Sequence, residues 1–220
     1  FWVEPGQPSL YAPGHGDLIN AWHRSEAAMA WSASEQHYVT IANVDNVRGT
    51  ISPAIIGAHI AAKHPITVET VRKTPGDVGG SPAWLNGHLQ VIEGFRFPAD
   101  YDQDQLTTFS TNNFVLSAPA MARKYDLTWF FVTKRVGERP VVQLEQLFNE
   151  VTAHIEATYL VVPRDGPLGR FLPVKQPEHL EVARQALERL QAEGAVSALH
   201  SEQLATNPAP PGNDEQRNNA

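Results

Sequence analysis

The stretch His37–Val71, HYVTIANVDNVRGTISPAIIGAHIAAKHPITVETV, decides how the chain is read. His37 to Val44 is β-branched and almost uncharged, the composition of a buried strand. Ser52-Pro53 then opens a helix. Serine is a preferred N-cap, and proline is tolerated at the first helical position because its missing N–H would find no partner there. This helix is expected to run to about Lys63. Ile66 to Val71 is a second strand, so residues 37–71 form a β-α-β unit, expected to cross over right-handed between parallel strands. From Trp2 to about Arg184, short apolar runs alternate with amphipathic stretches, and the fold class expected is α/β.

Towards the N-terminus, Asp17 can cap a helix through Leu18, Ile19 and Trp22 to Trp31. Towards the C-terminus, Asn86-Gly87 lies between two apolar runs, Trp84-Leu85 and His88–Val91, and predicts a hairpin. Asp100 to Gln105 is acidic and expected at the surface. Thr107–Val115 and Leu127–Thr133 read as strands, and Ser117–Lys124 as a short helix. Leu144, Leu147, Phe148, Val151 and Ile155 mark one face of a further helix. Tyr159–Val162 and Phe171–Val174 are short apolar segments around a basic loop. Pro177 starts a last helix with a stripe of Leu180, Ala183, Leu187 and Leu190. Residues 201–220 carry no apolar face and are expected to be a disordered polar tail. No internal repeat is found.

Composition excludes several classes. The 220 residues include 17 basic and 24 acidic side chains, a net charge of −7, which argues against binding nucleic acid through overall charge. There is no cysteine, so disulfide frameworks, thiolate zinc sites and cysteine nucleophiles are ruled out. No apolar run approaches the roughly 20 residues of a membrane-spanning helix. These features predict a protein of a reducing compartment, cytoplasmic and without a membrane partner; they leave the oligomeric state open. The chain opens on Phe1-Trp2-Val3, large apolar residues ill-suited to a solvated terminus, and an upstream portion is expected to be missing.

No GxSxG elbow, HExxH helix or G-x-x-x-x-G-K-[ST] loop occurs. What remains is a set of short polar turns at the ends of predicted strands, where open α/β sheets bind ligands. Pro13-Gly14-His15-Gly16-Asp17 brings backbone N–H groups and an imidazole to a helix start and can receive an anion, or is a plain capped turn. Asn43-Val44-Asp45-Asn46 closes the first strand. Its carboxylate can hold Mg²⁺ together with substrate phosphates, or the turn merely ends the strand. Ser110-Thr111-Asn112-Asn113 offers uncharged donors and acceptors suited to sugar hydroxyls, or is a polar loop. Arg164–Lys175 and Lys134–Arg139 are locally basic in an acidic chain, fitting a phosphorylated ligand or a charged surface loop. Together they describe a site for a sugar, phosphates and a divalent metal.

The order of these motifs, joined by Tyr11-Ala12 before the first, Val142-Gln143-Leu144-Glu145 and Phe171-Leu172-Pro173-Val174-Lys175, resembles the eukaryotic-type UTP–glucose-1-phosphate uridylyltransferase (UDP-glucose pyrophosphorylase) family over residues 10 to 185. The resemblance implies a nucleotide-diphospho-sugar transferase-like fold, Rossmann-like with a mixed sheet flanked by helices and incomplete at the N-terminus. Residues 1–200 would be the C-terminal part of its catalytic domain. It implies UTP and glucose 1-phosphate as partners, UDP-glucose and pyrophosphate as products, and Mg²⁺ as cofactor. By the same resemblance, Gly14 touches the nucleotide and His15 the sugar phosphate. Asn43, Val44 and Asp45 line the site, with Asp45 on the metal, and Ser110, Thr111 and Asn112 hold the glucose ring. Lys175 would be catalytic, stabilising charge on the phosphates during transfer.

The chain departs from the family in several places. Ser110 stands where Asn is usual, Asp77-Val78 runs into Gly79-Gly80 without the usual lysine, and Asp165–Gly169 lengthens the link to FLPVK. A glycine-rich loop of the LNGGLGT kind and the C-terminal β-helix have no counterpart, so the chain alone is expected to turn over very weakly. Two other readings are a non-catalytic UDP-sugar-binding domain and a pyrophosphorylase for another sugar 1-phosphate such as N-acetylhexosamine 1-phosphate. The relatives specific for N-acetylhexosamine carry Asn where His15 stands.

Overall fold

The computed structural model describes residues 2–4, 7–8, 13–77, 79–136 and 138–192. The chain divides into two compact units, Phe1–Pro173 and Val174–Ala220. The first begins with a ribbon pairing β1 (Trp2–Glu4) and β2 (Gln7–Pro8). Two short helices follow, α1 (Leu18–His23) and α2 (Glu26–Trp31). The single helix expected there breaks at Ser25, whose extended backbone lets its side chain accept from the Ala28 N–H and start a new helix. Asp17 occupies the N-cap position of α1, but its carboxylate accepts from Asn20 Nδ2 at 2.9 Å instead of capping.

The stretch that decides the fold forms β3 (Tyr38–Ile41), α3 (Pro53–Ala62) and β4 (Ile66–Arg72). The Ser52 side chain accepts from the Ile55 N–H, Pro53 takes the first turn, and Lys63 closes the helix in a left-handed conformation at φ 59°. A hairpin of β5 (Ser81–Leu85) and β6 (His88–Ile92) turns at Asn86-Gly87, both at positive φ (54° and 77°) as a type I′ turn requires. Then come β7 (Thr108–Ser117), α4 (Ala118–Met121) and a second hairpin of β8 (Phe130–Val136) and β9 (Arg139–Glu145). A 3₁₀ segment, Phe148–Ala153, leads to β10 (Ala157–Val161).

The central sheet has the order β10-β4-β7-β3. β10 runs parallel to β4, while β7 runs antiparallel to both β4 and β3. β3 and β4 are therefore parallel, as expected of a β-α-β unit, but they are not neighbours. β7 lies between them because Val115 pairs with Thr40 on one side and with Thr67 on the other.

Both faces of the sheet are covered. Ile66, Val68, Phe114 and Leu116 pack with Ile19, Met121, Phe148 and Val151 in one cluster, and Val71, Phe109 and Val115 pack with Ile55 of α3 and Val162 in another. Each large side chain buried this way contributes about 1.5–3 kcal/mol. This mixed sheet flanked by helices is the expected architecture.

The helix expected over residues 144–155 does not form. Leu144 is exposed at the end of β9, and the buried segment after it is a 3₁₀ turn that also hides Asn149, Glu150 and Thr152. The helical spacing of the five apolar residues joins two elements that happen to be adjacent in sequence. In the second unit, α5 (Pro177–Ala192) starts at Pro177 as expected. Ala183 and Leu190 of its predicted stripe are buried, while Leu180 and Leu187 are exposed. Residues 201–220, Tyr11-Ala12 and Val78 lie outside the described residues. Among the described residues, no helix is long and apolar enough to cross a membrane.

Candidate functional site

The polar run Ser110–Asn113 is not a loop beside a strand but part of the central strand itself. Opposite β4, Glu69 pairs with Asn113 and the next residue, Thr70, pairs with Ser110, so Thr111 and Asn112 bulge out of register. Bulges of this kind re-aim side chains and cluster beside functional sites. Asn112 takes φ +57°, a left-handed conformation that Asn tolerates better than most residues. The bulge is held from within: Thr111 Oγ1 donates to the Glu69 carbonyl at 3.0 Å, and the Ser110 N–H donates to the Gly80 carbonyl at 2.7 Å.

Beside Asn112 stands Glu93, just past β6 and half-buried, with its pKa raised by desolvation against the opposing influences of Asn149 and Arg96. Asn149 Nδ2 donates both to Glu93 Oε1 at 2.7 Å and to Asn112 Oδ1 at 2.8 Å. Neither Glu93 nor Asn149 was singled out from sequence. The available signal was a charged residue ending the apolar run of β6, and two polar residues, Asn149-Glu150, inside an apolar segment. Gly80 belongs to the same cluster, since a Cβ there would sit 2.6 Å from Val91 Cγ1 and 3.1 Å from Glu93 Oε1.

The turn containing Gly14 and His15 docks on the chain leading to Asn149. Gly16 N–H donates to the Gln146 carbonyl and Gln146 N–H to the Pro13 carbonyl, both at 2.8 Å. Gly14 has φ +86°, and a Cβ on it would lie 2.3 Å from the Gln146 oxygen, so no other residue fits there. His15 Nδ1 accepts from the Phe148 N–H at 2.9 Å. That bond fixes the tautomer with hydrogen on Nε2, free to donate to an anion. Although the residue keeps solvent access, desolvation lowers the ring's pKa, with the Glu145 carboxylate acting the other way. The 3₁₀ segment Phe148–Ala153 and the residues just before it thus carry both the imidazole turn and the bulge.

Asn43, Val44 and Asp45 form the turn after β3. Val44 is fully exposed. The next residue, Asn46, anchors the turn: Nδ2 donates to the Arg170 carbonyl at 3.0 Å, and Oδ1 accepts from the Leu172 N–H at 2.9 Å. Asp45 itself is half-buried, and no partner holds its carboxylate among the described residues. Also among the described residues, no group of three or more His, Asp or Glu side chains gathers to hold a metal. A single carboxylate without an internal partner suits Mg²⁺, which takes one or two protein carboxylates alongside substrate phosphates. The donor set thus fits a shared metal rather than one caged by the protein.

The two basic stretches give several of their cations to partners within the fold. Arg164 makes a bidentate pair with Asp77 at 2.7 and 2.9 Å, and Asp77 has its pKa lowered by that pairing and by bonds from Thr74, against its own desolvation. Arg170 pairs with buried Glu69 at 2.5 and 2.8 Å. Lys134 reaches Glu145 at 3.0 Å. These cations hold the fold together. Lys175 belongs to the second unit, where its N–H donates to His179 Nδ1 at 3.2 Å. In all, the structure brings Ser110, Thr111 and Asn112 together with Glu93 and Asn149, and ties the Gly14-His15 turn to the same segment.

The model of one family, described as UTP–glucose-1-phosphate uridylyltransferase, matches residues 4–209. The UTP–glucose-1-phosphate uridylyltransferase of Saccharomyces cerevisiae is 28% identical over 197 residues, covering 82% of this chain and 39% of that protein. That of Encephalitozoon cuniculi is 27% identical over 182 residues, covering 77% of this chain and 36% of that protein. The chain therefore spans well under half the length of these curated relatives. Among solved structures, Leishmania major UDP-glucose pyrophosphorylase in complex with UDP-glucose is similar with a TM-score of 0.62 at 24% identity, over 79% of this chain and 44% of that one. An Entamoeba histolytica protein described as a UDP-N-acetylglucosamine pyrophosphorylase is similar with a TM-score of 0.68 at 16% identity, over 81% of this chain and 50% of that one. At these identities the structural likeness speaks for the fold.

Proposed function

Since this chain belongs to the UTP–glucose-1-phosphate uridylyltransferase family, we propose that the protein joins UTP and glucose 1-phosphate into UDP-glucose and pyrophosphate. The observation that carries this reading is the bulge of β7, which sets the uncharged side chain of Asn112 beside the Glu93 carboxylate. Sugar hydroxyls need neighbouring donors and acceptors, and this pair offers both.

In the reaction, a phosphate oxygen of glucose 1-phosphate attacks the α-phosphorus of UTP, the bond to the bridging α–β oxygen breaks, and pyrophosphate leaves with that oxygen. Such transfers need positioning and charge neutralisation more than covalent help from the protein. Ser110, Thr111 and Asn112 orient the sugar ring. His15, neutral and donating from Nε2, holds the sugar phosphate without adding a second titration, and Gly14 leaves room for the nucleotide to approach the backbone. Asn43, Val44 and Asp45 line the site. Asp45 would hold Mg²⁺, which when bound neutralises phosphate charge. Lys175 is the compact cation proposed to stabilise the charge that develops during transfer.

The test is pyrophosphate release by the native protein with UTP, Mg²⁺ and a panel of glucose, galactose and N-acetylglucosamine 1-phosphates. Glucose 1-phosphate is expected to be preferred, and Asp45→Ala to raise the Mg²⁺ concentration needed for half-maximal release. Release that is equal or faster with the amino sugar overturns the substrate, and no release with any sugar phosphate overturns the activity.

A further inference from the structure

Asn149 has no part in the chemistry proposed above, yet every polar atom of its side chain is spent on residues of the sugar end. It is 1% exposed and lies beneath Asn112 and Glu93. Nδ2 donates to Glu93 Oε1 at 2.7 Å and to Asn112 Oδ1 at 2.8 Å, while Oδ1 accepts from Ser110 Oγ at 3.3 Å. Ser110 Oγ in turn accepts from the Asn112 N–H at 3.1 Å, which helps to hold that residue in its left-handed conformation. The backbone of Asn149 is anchored as well: its carbonyl accepts from Thr152 Oγ1 at 2.6 Å, and that hydroxyl in turn accepts from the Val91 N–H at 2.9 Å.

These bonds leave only one orientation for each group. A carboxylate accepts and cannot donate, so Nδ2 of Asn149 must face Glu93, and its Oδ1 then faces Ser110. Asn112 must turn its oxygen inward to the same Nδ2, which leaves its own Nδ2 outward with hydrogens to give. Glu93 keeps Oε2 to accept. A donor and an acceptor are thereby held side by side at the surface of the bulge, the complement of two neighbouring hydroxyl groups.

We propose that Asn149 is a positioning residue that sets this donor–acceptor order and so makes the sugar end selective for adjacent hydroxyls. The inference rests on the functional reading above and names the part of the site that would recognise the sugar. Asn149→Asp preserves size but replaces both donations with carboxylate oxygens facing Glu93 and Asn112. In the native protein it is expected to raise KM for glucose 1-phosphate at least about tenfold, because the groups it aligned lose their partner. KM for UTP should stay within about threefold, since the reading above assigns the nucleotide to the Gly14 turn and not to this end. Asn149→Ala should behave alike. Ser110→Asn added to it should restore much of the loss, because the longer side chain at 110 enters the space vacated beneath Asn112.

The outcomes separate cleanly. Sugar and nucleotide KM rising together, or Asn149→Asp indistinguishable from the wild type, overturns the positioning role while leaving the function standing. Failure of Ser110→Asn to recover any of the loss in Asn149→Ala also counts against it. A wild-type protein that transfers to no sugar phosphate refutes the functional reading, and this inference falls with it.

Discussion

Replacing Arg170 by methionine takes the guanidinium away from Glu69 and leaves a carboxylate in the middle of β4 without a donor. Glu69 is 2% exposed, and among the described residues Arg170 is its only side-chain partner, through Nε at 2.5 Å and Nη2 at 2.8 Å. Nη2 also donates to the Thr50 carbonyl at 2.8 Å. Breaking one half of a buried pair costs about 3–5 kcal/mol, because the remaining charge is desolvated with nothing to offset it. Domains of ordinary stability have about 5–15 kcal/mol in total, so the variant is expected to be marginal or unfolded at 37 °C. Urea unfolding of the 220-residue chain, followed by tryptophan fluorescence, measures the loss. The double variant Glu69→Met with Arg170→Met should recover at least about 1.5 kcal/mol, since two apolar side chains of similar size leave no buried charge. A cost below about 1 kcal/mol for Arg170→Met, or a double variant less stable than the single one, refutes the reasoning.

Other outcomes follow from the same geometry. Gly14→Ala forces a Cβ to within 2.3 Å of the Gln146 oxygen at a positive φ, and its midpoint in urea should drop by the equivalent of about 2 kcal/mol or more. The pKa of His15 is lowered in the folded chain, so the stability tied to it is fully present above the ordinary imidazole value of 6.5. That stability is lost as pH falls through the lowered folded value. His15→Gln should therefore flatten the rise of unfolding free energy with pH in that window, and parallel pH curves for the two proteins would disprove the assignment. Lys175→Ala in the native protein should lower kcat by about 100-fold or more while substrate affinities move only a few-fold. An unchanged kcat removes Lys175 from the catalytic set.

The parts of the fold legible in sequence are those set by local chemistry. Ser52-Pro53 starts α3 and Asn86-Gly87 turns the β5–β6 hairpin, because a cap and a positive-φ turn depend on two or three adjacent residues. Placing β7 between β3 and β4 depends on pairing across dozens of residues, which hydrophobic pattern does not encode. The helix wrongly expected across Leu144 and Ile155 shows the converse, an apolar spacing with no single element beneath it. For the site, Ser110–Asn112 was visible as a run of hydrogen-bonding side chains, and Gly14-His15 as a turn. Glu93 and Asn149 were not, because each is a polar residue whose meaning comes only from what folding brings against it. In the basic loop, two of the cations are claimed by acids distant in sequence, buried Glu69 and half-buried Asp77, which only folding brings against them.

The excursion in β7 has an arithmetic consequence. It holds two residues, Thr111 and Asn112, more than the strand opposite. Two is one full side-chain period of a strand, so parity is conserved across it. Phe109 before the excursion and Val115 after it still enter the same cluster, and Phe114 and Leu116 the other. An even insertion is silent to the core, while an odd one turns everything beyond it inside out. Excising Thr111 and Asn112 together would leave each remaining side chain of β7 on its present face and abolish only the bulge. Excising either alone would put Phe109 on the wrong side of the sheet. Change in this strand is therefore tolerated in pairs, and the bulge can be gained or lost without renegotiating the scaffold that carries it.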